Sequence, residues 1–280
     1  MNQIGTTEGI GINPKTKQMD LDVNNERPYD VIHPLFGNTT MKVISKNPRN
    51  NIPVHVFYGF QLQQSKIDLI FSQYADSQKE QRVIANRSRD AVRTALKNPN
   101  SDQSSRIIID FLVEHTVKTF NNKFPIDQYD AIISMPTSAT LNTVLVNEFK
   151  KYAKRDVFIS NDAFVKQLRK DVTINQDMID REKSEKTKDA LKKLLAAIQR
   201  SHPDKPFSIK KIPASYRRYF KFLKFTDPET QEIVKTYVEN KKILLIDDTF
   251  GEFTTFGNAI NNLTDFNPQS VDCFALLKDY

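Results

Sequence analysis

Asp247 and Asp248 stand side by side directly after the apolar run Ile243-Leu244-Leu245-Ile246, and Thr249-Phe250-Gly251-Glu252-Phe253-Thr254-Thr255 follows, rich in hydroxyls. A short uninterrupted apolar run is the pattern of a strand buried on both faces. The carboxylates are therefore expected at its carboxyl edge, where open α/β sheets hold their ligands. Phe256 to Leu263 has the apolar spacing of a helix packed on the sheet. A loop entering a helix N-terminus offers unpaired N–H groups and the positive end of the macrodipole, a natural seat for phosphate. The plain alternative is a strand end and a turn, with the acids solvated or capping the next helix.

A second segment repeats this plan. Tyr129-Asp130-Ala131-Ile132-Ile133-Ser134-Met135 ends at Pro136, which cannot continue a ladder. Thr137-Ser138-Ala139-Thr140-Leu141-Asn142 is a polar loop, and Val144, Leu145, Val146, Phe149 and Tyr152 then recur at helical spacing to about Lys154. Asp156–Ser160 reads as another buried strand and Ser270–Leu277 as the last one, which contains the single cysteine, Cys273, as a small buried apolar residue. Strands alternating with helices imply parallel pairing, hence an α/β fold.

Apolar strand, Asp-Asp, short loop and a Thr at the loop's end resemble the PRPP-binding signature of type I phosphoribosyltransferases, and Ile-Leu-Leu-Ile-Asp-Asp-Thr-Phe is most similar to the ComF branch. The resemblance implies a mostly parallel sheet of phosphoribosyltransferase type over residues 127–280. It assigns Asp247 and Asp248 to the ribose hydroxyls, and Thr249, Gly251, Phe253, Thr254 and Thr255 to the 5′-phosphate. Thr137, Ser138, Ala139 and Thr140 would form the pyrophosphate loop. The implied reaction displaces pyrophosphate from C1 of PRPP by a nitrogenous base, with Mg²⁺ offsetting the diphosphate charge and reaching Asp247 and Asp248 through water. Glu252 would serve as a base. One departure stands out: Glu252-Phe253 occupies the place where family loops carry Thr-Gly, and a phenylalanine resists the close backbone approach that glycine allows. The alternative is a catalytically inactive protein of this fold, acting as a nucleotide sensor or nucleic-acid-binding factor.

Between the second strand and the Asp-Asp strand lies an insertion at about residues 161–240, too long to lack structure of its own. Residues 161–225 contain 17 Lys or Arg against 8 Asp or Glu, more positive than the whole chain at +7. Met178 to Arg200 has a helical apolar stripe. Residues 210–225 interleave cations with aromatic rings, a mixture suited to a nucleotide or single-stranded nucleic acid. The resemblance makes this region a hood over the substrate, with Arg217, Arg218 and Tyr219 at its ligand-facing edge. The bland reading is a β-hairpin with Tyr219, Phe222 and Phe225 partly buried and lysines in solvent.

The amino-terminal part reads as an arm, partly irregular, over residues 1–50, and an α+β extension over 51–126. The extension holds a strand from Ile52 to Phe60, helices over 66–74 and 81–96, and a helix from Arg106 to about Phe120 capped by Ser101 or Asp102. Four scattered histidines and one cysteine give no metal-ligand spacing and no internal disulfide. No apolar run reaches membrane-spanning length and the start is polar, so a cytoplasmic chain with no membrane partner is expected. A homodimer is compatible with this reading.

Overall fold

The computed structural model describes residues 103–137, 140–154, 156–250 and 253–278, together with the backbone of four amino-terminal strands. Those strands are β1 (Ile10–Ile12), β2 (Met19–Leu21), β3 (Asp30–Lys42) and β4 (Pro53–Leu62). Helix α1 (Gln103–Lys123), strand β5 (Ala131–Ser134), helix α2 (Leu141–Lys150) and strand β6 (Phe158–Ser160) follow. The insertion contributes β7 (Phe164–Lys166), β8 (Thr173–Ile174), α3 (Gln176–Arg181), α4 (Glu185–Arg200), α5 (Ala214–Arg217), β9 (Phe220–Lys221) and β10 (Leu223–Phe225). The chain closes with α6 (Pro228–Val238), β11 (Lys242–Phe250), α7 (Thr254–Leu263) and β12 (Ser270–Lys278). The helices expected over 66–74 and 81–96 lie outside the described residues.

An eight-stranded sheet in the order β2-β1-β3-β4-β12-β11-β5-β6 forms the frame. Its five strands from β4 to β6 pair in parallel, and β1 to β3 add an antiparallel edge. The protein is thus α/β with a mostly parallel core. Ile243 to Ile246 are buried on both faces, as an uninterrupted apolar strand requires. Leu244 and Ile246 face α1 and α2, where Phe120, Phe149 and Phe274 meet edge to face. Ile243 and Leu245 face the other way, toward α6, α7 and the insertion, and Cys273 is fully buried on that side.

Three differences from the sequence reading have physical causes. The segment read as an arm contains β1, β2 and β3, which pair antiparallel with one another and, through β3, with β4, so that polar residues without strong strand propensity are held by their neighbours on the sheet. The helix expected from Met178 to Arg200 is two helices, because Ser184 leaves helical geometry and caps α4 by accepting from the Thr187 N–H at 3.2 Å. The hairpin weighed as the plainer alternative at 210–225 is not formed either: β9 pairs with β8 and β10 with β7, so its strands reach back some fifty residues in sequence.

Gly59 on β4 lies in close contact with α1. A Cβ there would stand 2.1 Å from Thr116 Cγ2 and 2.9 Å from its Oγ1, and Thr116 is itself pinned by donating to the Leu112 carbonyl. Gly59→Ala is expected to lower stability by about 1–3 kcal/mol through overpacking. Adding Thr116→Ala, which removes both clashing atoms, should recover most of that loss in urea unfolding. A single variant as stable as the parent would show that α1 and β4 separate freely.

Candidate functional site

From β5 the chain passes through α2 to β6 on one side, and from β11 through α7 to β12 on the other. The β5–β11 pair is therefore the point where strand order reverses, and a crevice opens outside the carboxyl ends of such a pair. Pairing between the two strands runs from Ile243↔Ala131 to Ile246↔Ser134, and the Met135 N–H donates to the Ile246 carbonyl at 2.8 Å as the last rung. Pro136, without an N–H, ends the ladder there. On its other side β11 continues to Phe250, paired with β12 up to Lys278. Residues 247–250 thus project beyond β5, and the two loops that the sequence singles out flank one crevice.

The longer β11 changes where the acids sit. Asp247 and Asp248 were expected at the strand's edge and lie within the strand, 9% and 4% exposed. Successive side chains on a strand point to opposite faces. Asp247 therefore turns to the face of α7 and the insertion, near enough to Cys273 to help raise its thiol pKa, behind burial and Asp272. Asp248 is buried beside it, and its N–H donates to Asp247 Oδ1 at 2.8 Å. Among the described residues there is no group of three or more acids, histidines or cysteines that could hold a metal ion. Each acid can accept hydrogen bonds from hydroxyls in the crevice.

Around the crevice, Thr137 is half-buried, and Thr140 is exposed at the N-terminus of α2 with no side-chain cap bond. Ser138, Ala139, Gly251 and Glu252 lie outside the described residues. Thr249 carries a buried hydroxyl, and Oγ1 has no hydrogen-bond partner. Asn142, which the sequence reading passed over, donates to the Met135 carbonyl at 3.0 Å while its buried Oδ1 has no partner. A buried polar atom without a partner costs about 1–3 kcal/mol, so two of them beside one crevice favour a bound polar ligand or water there. Phe253 precedes α7 and offers its first turn no side-chain cap, and Thr254 and Thr255 are half-buried in that turn. The Phe253 ring packs along its own helix, 6.4 Å from Phe256 and against Gly257.

In the insertion the aromatic rings belong to the core. Tyr219, Phe220 and Phe222 are each at most 3% exposed, so they cannot serve as stacking platforms for bases. Arg217 is committed to the backbone, donating through Nε to the Ile212 carbonyl at 2.8 Å. Arg218 lies over the Tyr219 ring, 4.9 Å from its centroid, and donates to its hydroxyl at 2.9 Å. Of the three residues expected at the hood edge, Arg218 is the exposed one. What fastens the hood is Asn258 of α7: it accepts from the Phe222 N–H at 2.9 Å and donates to the Phe220 carbonyl at 3.0 Å, standing in for a neighbouring strand. Nothing in sequence marks such an asparagine, because its partners lie 36 and 38 residues away.

Tyr219 also ties the insertion internally by donating its hydroxyl to Glu182, which accepts the Ser184 N–H as well. The tyrosine bond, then the backbone bond, hold the Glu182 carboxyl below its ordinary range. A lowered folded-state pKa gives stability that is present above the unfolded value, about 4.3, and lost as pH falls through the folded value. The stability gap between the parent and Tyr219→Phe should therefore be constant near neutrality and close below about pH 4. A gap that persists at pH 3 would show that the hydroxyl acts through packing alone.

No protein-family model matches the chain, and no curated protein matches its sequence. What the coordinates define is an α/β protein with a parallel core, a reversal of strand order at the β5–β11 pair and a basic insertion sharing one hydrophobic core with the sheet and α7. Among the described residues no helix is long and apolar enough to cross a membrane.

Proposed function

We propose that this protein is of the phosphoribosyltransferase type and binds PRPP or a related nucleotide or sugar phosphate in the β5–β11 crevice. The observation that carries the reading is the juxtaposition of two βα junctions at the reversal of strand order, one followed by Thr137 and Thr140 and the other bearing Asp247, Asp248 and Thr249. Hydroxyls and N–H groups suit phosphate oxygens, and carboxylates suit the ribose diol. In this reading Asp247 places negative potential beside the anomeric carbon as pyrophosphate leaves for a nitrogenous acceptor. Mg²⁺ would accompany the diphosphate, offsetting its charge, with Asp247 and Asp248 reaching it through water.

A second reading, binding without turnover as a nucleotide sensor, is favoured by one feature: the chain enters α7 through Phe253, where a glycine would let phosphate approach the backbone. One experiment separates the two. Calorimetry of the full chain with PRPP and Mg²⁺ should show saturable binding, and a pyrophosphate-release assay across purine and pyrimidine bases should show turnover. Binding without release selects the sensor. Absence of binding removes the sugar-phosphate reading, and the surface cations of the insertion then point to a polyanion, tested as salt-sensitive oligonucleotide association.

A further inference from the structure

Along the outer flank of α7, where the insertion docks on it, runs a groove of about 670 Å³, within the range that buries a nucleotide-sized molecule. Asp247, Asp248, Thr137 and Thr140 do not line it, whereas Phe253 and Thr254 at the start of α7 do, so it adjoins the crevice across that first turn without containing the acids. One wall is aromatic and flat. The half-buried Phe253 ring lies beside Gly257, 3.5 Å from where a Cβ would stand, so no side chain rises next to the ring. Met178 of α3 contributes an apolar, polarizable contact from the insertion side.

The polar groups of the groove ask for hydrogen-bond donors and an anion. Asn175 Oδ1 and Gln167 Oε1 are buried at its wall without partners. Asn261 of α7, half-buried, adds an amide that can both donate and accept. Arg181 and Arg218 are exposed at the rim, Lys221 and Lys224 also line the groove, and its acids are Asp177, Asp265 and Glu182, the last already engaged by Tyr219. A flat apolar face, amides that read an edge and guanidinium groups that take phosphate bidentately describe one class of ligand.

We propose that this groove is a second binding site, which takes a nucleoside phosphate with its base on the Phe253–Gly257 face, read by Asn261, and its phosphate at Arg181 and Arg218. The inference does not rest on the sugar-phosphate reading of the crevice. Calorimetric titration of the full chain with AMP, GMP, CMP and UMP, and with inorganic phosphate in parallel, tests it. At least one nucleotide should bind at one site per chain below about 1 mM, with inorganic phosphate alone giving no comparable heat. Asn261→Leu, which breaks no hydrogen bond of that side chain seen here, should weaken that binding about tenfold, and Arg181→Glu at the exposed rim should do the same. Asp247→Asn should leave it unchanged. Thermal unfolding of each variant confirms the fold, and if Asn261→Leu fails to fold, Arg181→Glu decides alone. No binding of any of the four nucleotides overturns the proposal, as does binding that Asp247→Asn abolishes while Asn261→Leu and Arg181→Glu leave it intact. Inorganic phosphate binding as tightly as the nucleotides also overturns it. PRPP titrated into the same variants reports the crevice independently, so either site can fail without the other.

Discussion

Asp247→Asn should weaken PRPP binding by roughly 10- to 100-fold, the effect of removing a charged partner from hydrogen bonds worth about 1.5–3 kcal/mol. The substitution keeps shape and volume, and the amide oxygen can still accept from the Asp248 N–H, so the strand should be undisturbed. The residue is 9% exposed and faces the side on which α7 and the insertion close over the sheet, where screening by water is reduced. Any turnover should fall by more than the binding does, because a carboxylate beside C1 matters most as positive charge develops there. Calorimetry and pyrophosphate release on the same preparation give both numbers. An affinity within twofold of the parent, with unfolding unchanged, would sink the crevice as the ribose site.

Removing the amide of Asn258 should produce the largest loss of stability available from one surface of α7. Asn258→Leu leaves the Phe222 N–H and the Phe220 carbonyl buried beside an apolar side chain, two unpaired backbone groups at about 1–3 kcal/mol each. A loss of about 2–4 kcal/mol is expected after partial relaxation. Neighbouring Asn262, which donates to the Leu223 carbonyl at 3.2 Å, continues the same seam and gives a milder variant. Hydrogen exchange distinguishes undocking from global unfolding: amides of β8, β9 and β10 should lose protection while those of β5 and β11 keep theirs. Equal loss across both sets would mean that the insertion and the sheet unfold as one unit.

The parallel core was legible because its signals are local. Ile243 to Ile246 and Ala131 to Ile133 are short apolar runs that only a doubly buried strand accommodates, and Pro136 marks an exit by lacking a donor. The helix after each run follows from apolar spacing, and the observed α2 and α7 lie where that spacing places them. The exact end of β11 was not legible. Asp247 and Asp248 look like a strand terminus by chemistry, yet β12 and β4 extend alongside and carry the ladder on to Phe250. The insertion's aromatic residues misled for a related reason: interleaved rings and cations look the same whether the rings meet a ligand or each other. Phe164, Phe220 and Phe222 turn out to fill the interior where the insertion meets α7.

By itself, the order of residues determined that this chain alternates strand and helix around two polar junctions, since burial of a whole apolar run leaves no other local solution. Tertiary structure decided that the two junctions are neighbours, that the carboxylates lie buried within β11, and that Asn258 joins the insertion to α7 beside a groove. Each of these depends on which strand or helix a distant segment meets, and pairing across dozens of residues is selected by the packing of the whole sheet, which no window of sequence contains.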